Sequence, residues 1–337
     1  MQHCYSNKFF VVKGWVGPAV GYVVGMARAA PASTRAANIV SFLTAHPSRG
    51  FTISEFVEHL GMNIASAHAT LAVLSDCGFV LRDPVHRTYV LGPALAATGF
   101  AALEQHPAIG AAIEQAELLA AELAAEVAVS AIAGKDVIYL ARRGPAGSAQ
   151  HIGYPGDRSP LLAPIGGIFL AWSGATVIDD WLDRAAVTPL LASFYRRVLA
   201  EIRSRGFSVP LPAIAAPAVI EAMSRLREEP TDEDREQSLT EALKKTDEAL
   251  LLFEGMAPTD EIRVKTVAAP IFDPIGRVLL SLSVTGPDHP MRVADVLDLG
   301  ARLSRAAAIA TRQARGRSPG DDLPRTAGGA GPRRRRG

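Results

Sequence analysis

The chain has 337 residues, of which 48% are hydrophobic and 20% are charged, and its 35 Lys and Arg residues nearly balance 34 Asp and Glu residues. With almost half of its residues apolar, the chain has enough hydrophobic side chains to form buried cores, and its length allows two domains. The net charge of +1 also excludes a strongly basic protein.

Cysteines, histidines and short motifs exclude several kinds of site. Cys4 and Cys77 provide no disulfide framework, so a reduced, cytoplasmic setting is the simpler interpretation. The eight histidines lack the spacing of metal ligands. The sequence contains no Walker A, HExxH or GxSxG motif. We therefore expect no metal, no cofactor and no enzyme activity.

Residues 1–32 form an unusual N-terminal extension. Its apolar stretches, residues 9–12 and 16–24, fall short of the roughly 20 residues that span a bilayer, so we expect no membrane association. One interpretation is a signal peptide, because Lys8 precedes an apolar stretch and Ala27-Arg28-Ala29 resembles a cleavage site. The alternative is that translation starts at Met26 rather than Met1 and that the extension is disordered or not native structure.

Two helical patterns follow. Between Thr34 and Thr44, apolar residues recur with the period of an amphipathic helix, at Ala36, Ile39, Val40 and Leu43. A second helix opens at Thr52, with Glu55 three residues later in the position of a capping box. Gly61 is predicted to end it, because a helix C-terminus favours a residue in the left-handed conformation.

A third helix and a hairpin complete this region. The helix begins at Asn63, a good N-cap, and extends to about Asp76, so a short turn containing glycine joins two helices. Strand-forming residues 79–82 and 87–91 then flank the turn Asp83-Pro84-Val85-His86. Residues 33–92 are predicted to fold as a winged helix-turn-helix, which is typical of a DNA-binding regulator.

Several motifs are similar to those of one known family. In the predicted winged helix they are Leu60-Gly61-Met62-Asn63, Leu71-Ala72-Val73-Leu74, Gly78-Phe79-Val80 and Tyr89-Val90-Leu91-Gly92. Later ones are residues 156–161 with Gly166-Gly167 and Leu170-Ala171, and residues 268–273 with Gly276, Val278 and 281–287. Together they resemble the isocitrate-lyase-regulator (IclR) family of bacterial transcription factors over roughly residues 33–310. The resemblance implies an α+β chain in which a GAF-like effector-binding domain follows the winged helix.

The connection between the two predicted domains is a linker helix at residues 93–106. Its small and apolar residues, among them Phe100, lie on several faces, as expected of a helix that packs against a second copy. We therefore expect a homodimer or a dimer of dimers. Charging Phe100 should weaken dimers and DNA binding together.

Residues 107–315 are predicted to form the effector-binding domain. Its expected elements are a helix at 108–123, a hairpin of strands 127–133 and 137–142, a strand at 151–154, a helix opening within 164–172 and a further helix at 189–205. Strands, then helices, then strands indicate an α+β domain.

Two segments depart from the family pattern. An insertion at about 208–260 carries an acidic run and a predicted helix at 232–253, which is either a solvated face or a site for a specific partner. The tail, residues 316–337, ends in Arg333-Arg334-Arg335-Arg336-Gly337 and is predicted to be disordered. It either adds phosphate contacts or is inert.

The third helix provides the predicted DNA-reading face. With Ala67, Leu71 and Leu74 toward the core, the opposite face carries Ala65, Ala69, Ala72 and Asp76, with Ser66 and His68 on its flanks. The resemblance implies basic residues at positions 64 and 69, and this chain has Ile64 and Ala69 instead. Alanines offer only contacts with thymine methyl groups. Base recognition is then expected to depend on Asn63, Ser66 and His68.

Charge in this region is balanced. From residue 26 to residue 105 there are five arginines and five acidic residues. Because phosphate neutralisation drives non-specific affinity, a neutral domain is expected to bind double-stranded DNA less tightly than a basic one. Arg82, His86 and Arg87 on the wing are either contacts to the DNA backbone or minor groove, or ordinary exposed charges.

The resemblance implies an effector pocket built by two facing segments. The residues concerned are Gly156, Asp157, Arg158, Pro160, Leu161, Leu162, Gly166, Gly167, Ala268, Ala269, Ser281 and Ser283. Glycines allow a ligand close to the backbone, and free N–H groups after Pro164 suit a carboxylate. The expected effector is a small organic acid, and the apolar segment favours an aromatic acid or an acyl compound. The alternative is a plain tight turn with a surface arginine.

Three functions remain open from sequence. The first is a ligand-responsive, homodimeric, DNA-binding regulator. The second is a degenerate regulator that has lost base recognition and acts through a protein partner. The third is an enzyme built on the effector domain, for which the sequence nominates no nucleophile and base.

Overall fold

The structure is a computed structural model that describes residues 30–145, 153–209, 255–286 and 289–319, together with residues 221, 222, 225, 237, 241 and 242. The helices and strands form two groups along the chain. The first group comprises α1 (Pro31–Ala45), α2 (Ile53–Leu60), α3 (Ile64–Asp76), β1 (Val80–Arg82) and β2 (Tyr89–Leu91). It is called the winged-helix region below.

Local capping determines where α2 and α3 begin and end. The Thr52 side chain accepts a hydrogen bond from the Glu55 amide at 3.3 Å, and the Thr52 amide donates to the Glu55 carboxylate at 2.7 Å. Gly61 follows in the left-handed conformation with a φ of 59°. The capping box and the glycine stop predicted from sequence are therefore confirmed.

Three helices enclose an aromatic core in the winged-helix region. Phe42, Phe51 and Phe56 are almost fully buried. The rings of Phe42 and Phe51 meet edge to face with their centroids 4.7 Å apart, and such pairs add stability beyond the buried area. From α3, Ala67 and Leu71 join this cluster. The inward positions predicted for α3 are confirmed.

The wing is a short antiparallel hairpin. Strands β1 and β2 pair from Val80 with Leu91 to Arg82 with Tyr89. Tyr89 also bridges to Phe51 through two backbone hydrogen bonds of 2.7 and 3.1 Å. The predicted hairpin is confirmed, although its strands are shorter than predicted. This bridge fixes the wing against the loop that precedes α2.

Two helices follow the wing, α4 (Pro93–Gln105) and α5 (Pro107–Leu123). Helix α4 contains no buried residue, and the Phe100 side chain is 69% exposed. Helix α5 instead buries one face, including Ala112, Ala116 and Leu119. Both helices occur where the sequence predicted them.

The second group of elements is built around a five-stranded antiparallel sheet in the order β5-β4-β3-β8-β7. Its strands are β3 (Val127–Ala133), β4 (Asp136–Arg143), β5 (Arg158–Pro160), β7 (Thr266–Phe272) and β8 (Val278–Thr285). A separate short pair joins β6 (Glu261–Ile262) to β9 (Met291–Arg292). Further helices are α6 (Gly167–Leu170), α7 (Ala175–Arg184), α8 (Pro189–Arg205) and α9 (Val293–Gln313), and the described residues 221, 222, 225, 237, 241 and 242 are also helical.

The two faces of the sheet pack against different helices. One face contributes Val129, Ala269 and Leu282 to a core shared with α5 and α9. The other face contributes Val137 and Ala268 to a second core, which continues into α6, α7 and α8. This sheet covered by helices on both faces gives the mixed helix and sheet fold expected from sequence.

Several predicted elements need correction. Gly153 and Tyr154 do not lie in a strand, and residues 151 and 152 lie outside the described residues; the strand at this edge is β5. The helix expected within 164–172 is limited to the four residues of α6. Helices α7 and α9 were not predicted. Of the predicted helix at 232–253, the structure describes residues 237, 241 and 242, which are helical; the rest of that segment, most of the insertion and nearly all of both chain ends lie outside the described residues.

Candidate nucleic-acid interface and effector site

The outward face of α3 is aliphatic. Ala65, Ala69, Ala72 and Val73 are all exposed, on the side of the helix opposite the buried Ala67, Leu71 and Leu74. At the start of the helix, Ile64 is 60% exposed, and Val73 is 61% exposed farther along. Folding buries none of these aliphatic groups, although exposed aliphatic side chains in a row are unusual on a monomer surface.

The polar residues beside this face are partly engaged in the helix itself. The Asn63 side-chain oxygen accepts a hydrogen bond of 2.8 Å from the Ser66 amide, because Asn63 caps α3. This cap uses one of the two lone pairs of the Asn63 side-chain oxygen, and a bidentate contact with adenine would need the other together with the NH₂ group. His68 is exposed on the flank of the helix. Asn63 is thus the N-cap of α3, and any base contact that it makes has to be compatible with this cap.

On the wing, the three predicted basic residues are exposed but differ in their surroundings. The Arg82 guanidinium lies 5.9 Å from the centre of the Tyr89 ring. Arg87 adopts a positive φ of 56°. The imidazole Nδ1 of His86 lies 2.9 Å from a carboxylate oxygen of Asp83. Arg82 and Arg87 are therefore better placed than His86 to contact a phosphate.

Asp83 organises the turn of the wing. Its carboxylate accepts hydrogen bonds from the amides of Val85 and His86 at 2.7 and 3.1 Å. The side-chain hydrogen bond with His86, followed by these two amides, lowers the pKa of Asp83 to about 2. A fixed negative charge consequently lies between the basic residues of the wing.

Another arginine of the winged-helix region is also paired. The Arg49 guanidinium lies 3.4 Å from the Glu55 carboxylate and 4.0 Å from the centre of the Phe51 ring. The hydrogen bond from the Thr52 amide is the main cause that lowers the pKa of Glu55. The side chains of Arg49 and Glu55 therefore neutralise each other and leave little charge for phosphates.

The turn between β4 and β5 contains the first of the predicted effector residues. The Gly156 amide donates to the Tyr139 carbonyl at 2.8 Å, and the Asp157 carboxylate accepts from the Tyr154 amide at 2.7 Å. Arg158 pairs with Asp136 at 3.5 Å. The Asp157 side chain therefore closes the turn on itself, and the Gly156 amide and the Arg158 side chain hold the turn to β4.

Tyr139 lies under this turn. Burial, reinforced by the nearby carboxylate of Asp157, raises the pKa of the Tyr139 hydroxyl to about 12. The hydroxyl remains neutral at physiological pH, and it forms a side-chain hydrogen bond with Ser159.

Gly156 also contacts the winged-helix region. A Cβ atom added to Gly156 would lie 2.5 Å from Thr44 Cγ2 and 2.9 Å from the Thr44 carbonyl oxygen at the end of α1. The φ of Gly156 is 94°, a conformation that glycine adopts readily. Only a residue without a side chain fits here, so the turn and α1 touch through their backbones.

The residues that follow the turn belong to the protein core. Leu162 is fully buried, and Leu161 and Pro160 are also buried, in the layer between the sheet and α6, α7 and α8. Gly166 has a φ of 83°, and a Cβ there would lie 2.2 Å from a methyl group of Leu161. Gly167 begins α6, whose four residues are too few for the carboxylate-binding helix end expected from sequence.

Three serines lie together on the face of the sheet opposite α5 and α9. In the strand register, Ser281 pairs with Ser130 of β3, and Ser283 pairs with Ala268 of β7. Residues directly opposite share a face and positions alternate along a strand, so Ser130, Ser281 and Ser283 point to one side. We call them the serine face. All three are buried, with exposed fractions of 5%, 1% and 8%.

The hydrogen bonds of the serine face are long. The Ser281 and Ser283 hydroxyls reach backbone carbonyls of Leu282 and Ala128 only at 3.5 Å, whereas hydroxyl bonds are typically 2.7–2.8 Å. A buried hydroxyl without a good hydrogen-bond partner lowers the stability of the folded protein. The hydrogen bonds of these two hydroxyls are therefore weak for buried groups.

One predicted pocket residue lies elsewhere. Ala269 pairs with Leu282 and belongs to the core shared with α5 and α9, on the opposite side of the sheet from Ser281. The strand period of two separates it from its neighbour Ala268. Ala269 therefore does not line the serine face, whereas Ser130, which sequence analysis did not single out, does. A single serine within the apolar strand of residues 127–133 was the available signal.

A cavity of about 560 Å³ lies at another edge of the sheet, between the end of α5, the end of β8 and α9. Its charged lining residues are engaged in ion pairs: Glu126 with Arg142, Asp295 with Arg292, and Arg302 with Glu122. It includes none of the predicted effector residues. Among the described residues, no cluster of His, Cys, Asp or Glu is arranged to hold a metal ion, and no helix in the described ranges is long and apolar enough to cross a membrane.

Comparison with known proteins gives a consistent result. Residues 32–84 match the IclR helix-turn-helix domain. Among solved structures, an IclR transcriptional regulator from Alicyclobacillus acidocaldarius is 22% identical with a TM-score of 0.61, covering 85% of this chain and 99% of its own. Pseudomonas aeruginosa HmgR is 19% identical with a TM-score of 0.55, covering 83% and 97%. A putative IclR regulator from Silicibacter sp. TM1040 is 16% identical with a TM-score of 0.55, covering 86% and 98%. No curated protein matches the chain.

Proposed function

We propose that this chain, which has an IclR helix-turn-helix domain at residues 32–84 and the fold of IclR transcriptional regulators, is a DNA-binding transcriptional regulator. It acts as a homodimer and responds to a small organic effector. The observation that carries the proposal is the outward face of α3, the second helix of the helix-turn-helix, which is exposed along its length. In this motif the second helix enters the major groove.

DNA contacts are assigned to two elements. Toward the bases, α3 presents Asn63, Ala65, Ser66, His68 and Ala69 at its N-terminal half, the part of a recognition helix that touches base edges. The wing contributes Arg82 and Arg87, and His86 to the extent that Asp83 leaves it free. With so few cations, binding is expected to have a shallow salt dependence.

The effector is assigned to the serine face and the adjoining turn. Buried hydroxyls with bonds of 3.5 Å support a ligand that accepts hydrogen bonds, such as a carboxylate. The buried Leu161, Leu162 and Ile168 on the same side of the sheet support an apolar body. An aromatic carboxylic acid combines both features.

The dimer is assigned to α4. None of its residues is buried in the single chain, and Phe100 and Leu103 are 69% and 38% exposed. Pairing of α4 with its copy would bury this apolar surface and connect two winged-helix regions. Half-sites about 34 Å apart, one helical turn, suit such a dimer.

The contact between Gly156 and Thr44 provides a route from effector to DNA. It joins the turn beside the serine face to α1, which packs on α3. A ligand that moves the turn would change the position of α1, and the ligand and DNA would then affect each other's affinity.

DNA binding is tested first, with a library of genomic fragments from the source organism at about 50 mM and about 200 mM salt. The full chain is expected to retain specific fragments at both. Ala69→Asp places a carboxylate on the outward face of α3 and should abolish retention. Ala37→Asp, an exposed alanine of α1, is the matched control and should retain the same fragments. Absence of any specific fragment at the lower salt concentration would refute the regulator.

A second experiment addresses the dimer. Phe100→Asp is expected to convert dimers to monomers in sedimentation and to weaken fragment binding in parallel. Leu190→Asp, a change at an 81% exposed leucine of α8, is the control and should alter neither. An unchanged oligomeric state in Phe100→Asp would show that α4 does not form the interface.

The exposed aliphatic residues of α3 also favour a second candidate. A regulator that has lost base recognition would use the same face for a protein partner, since apolar patches mark interaction sites. The fragment experiment separates the two, because only the first candidate retains DNA.

A further inference from the structure

The outward face of α3 has a distinctive chemistry for a surface assigned to DNA. Its N-terminal half offers methyl groups from Ala65 and Ala69, with the larger Ile64 beside them, and no cation. Base recognition in the major groove normally uses Arg, Lys, Asn or Gln, which make paired hydrogen bonds with base edges. Of these four types, only Asn63 lies beside this face, and it is the N-cap of α3.

The nearest polar groups do not compensate. Asn63 uses its side-chain oxygen to cap the helix. Ser66 is half-buried and offers one short hydroxyl group. His68 alone is exposed and polar on the first two turns of α3. With one imidazole, one hydroxyl and one side-chain amide beside it, this face offers few partners for the donors and acceptors of G·C pairs, and burying base-edge groups unpaired would cost free energy.

One feature of the major groove is apolar: the C5-methyl group of thymine. Alanine side chains are short, so the helix backbone can approach the base edges closely, and a methyl-to-methyl contact removes both groups from water. We infer that Ala65 and Ala69 recognise thymine methyl groups, and that the operator half-site has thymines where the first two turns of α3 enter the groove. The inference rests on the proposed DNA-binding function.

The low charge of the winged-helix region makes these contacts more important. Arg49 is paired with Glu55, and Asp83 lies among the basic residues of the wing. Phosphate contacts consequently contribute less to affinity than in a basic domain. A larger share of the binding free energy then depends on the apolar contacts of Ala65 and Ala69.

The test begins by selecting sites from a random duplex library with the full-length protein. Each thymine of the selected half-site is then replaced in turn by uracil, which lacks only the methyl group. At contacted positions affinity should fall about fourfold per methyl group, the loss that corresponds to one buried CH₂. Uracil at positions outside the half-site should have no effect.

A double-mutant cycle assigns the contact to a residue. Ala69→Gly removes the protein methyl group, and the uracil substitution opposite it should then have little further effect. Because each variant is compared on thymine and uracil duplexes, any loss of helix stability cancels. Ala37→Gly in α1 is the matched control, and it should show the full uracil effect.

The outcomes separate this inference from the function it rests on. Failure to select any duplex at low salt would overturn both. Selection of a specific site that tolerates uracil at every position would overturn methyl recognition and leave the regulator intact. Selection of a half-site rich in G·C pairs would also overturn methyl recognition and leave the regulator intact. A uracil-sensitive thymine whose effect is lost in Ala69→Gly or Ala65→Gly supports the inference.

Discussion

The outward face of α3 and the serine face of the sheet reverse the usual distribution of side chains. On α3, Ala69 and Val73 are exposed to solvent. On the sheet, Ser130 and Ser281 are buried to 5% and 1% exposure. Apolar groups are normally found inside and hydroxyl groups outside. Each face therefore has unmet requirements in the isolated chain, and a binding partner would meet them.

The two faces differ in how strongly folding determines them. Positions on the outer side of α3 are free of packing constraints, so other residues would fold equally well there. Positions on the serine face are enclosed, and the absence of short hydrogen bonds there is a sacrifice of stability. We interpret both as surfaces whose residues serve binding rather than folding, and substitutions that compare each with a structural neighbour test this interpretation.

The largest effect is expected from the inner side of α3. Leu71→Ala removes a fully buried side chain and should lower the free energy of unfolding by about 3 to 5 kcal/mol, because a cavity is left behind. Val73→Ala, two residues away and 61% exposed, should change it by less than about 0.5 kcal/mol. Urea denaturation of both variants measures the difference. Equal losses would mean that the outer side of α3 is covered within the chain.

The next comparison is between two buried hydroxyls. Thr311 accepts a hydrogen bond from the Phe272 amide at 3.1 Å and donates to the Ala307 carbonyl at 2.8 Å. Thr311→Val should therefore cost about 1 to 3 kcal/mol, since the amide is left unpaired. Ser281→Ala should cost less than about 1 kcal/mol, because only a 3.5 Å bond is lost.

The same two variants should rank in the opposite order in ligand affinity, with Ser281→Ala losing more affinity than Thr311→Val. Binding of a panel of aromatic carboxylates to the full chain can be measured by thermal shift. The ligands should bind the parent protein and Thr311→Val, and should bind Ser281→Ala more weakly. If Ser281→Ala is as destabilised as Thr311→Val and binds normally, the serine face is structural.

A smaller effect is expected at the contact that joins the two regions. Gly156→Ala and Gly134→Ala both place a Cβ at a positive φ, of 94° and 67°, and this backbone conformation alone should cost each variant about 1 to 2 kcal/mol. Gly134 has no atom within 4 Å of the added Cβ, whereas Gly156 would clash with Thr44. Only Gly156→Ala should increase hydrogen exchange at the end of α1 and change DNA affinity. Equal hydrogen exchange at the end of α1 in the two variants would exclude coupling through this turn.

Sequence determines the winged-helix region more completely than the sheet. The box formed by Thr52 and Glu55, the Asn63 cap and the Gly61 stop involve residues within a few positions of one another, so each was predictable from local pattern. In contrast, Ser130 meets Ser281 across 151 positions of chain, and only the strand register brings them together. The same register places Ala269 on the side of the sheet opposite Ser281, which local sequence pattern does not reveal. Helix α9 was missed although its inward residues Val296, Leu303 and Ala310 follow a helical period.

The smallest effect concerns the wing and follows from the pKa of Asp83. In the folded chain this pKa is about 2, below its ordinary value of 3.8. The carboxylate therefore stabilises the turn fully above about pH 4, and this stabilisation is lost as pH falls through about 2, when Asp83 becomes protonated. Amide resonances of Val85 and His86, which donate to this carboxylate, should shift with a midpoint near pH 2. In Asp83→Asn these two amides should no longer titrate. A midpoint near 3.8 in the parent protein would show that His86 does not hold Asp83, and His86 would then be as free as Arg82 to contact a phosphate.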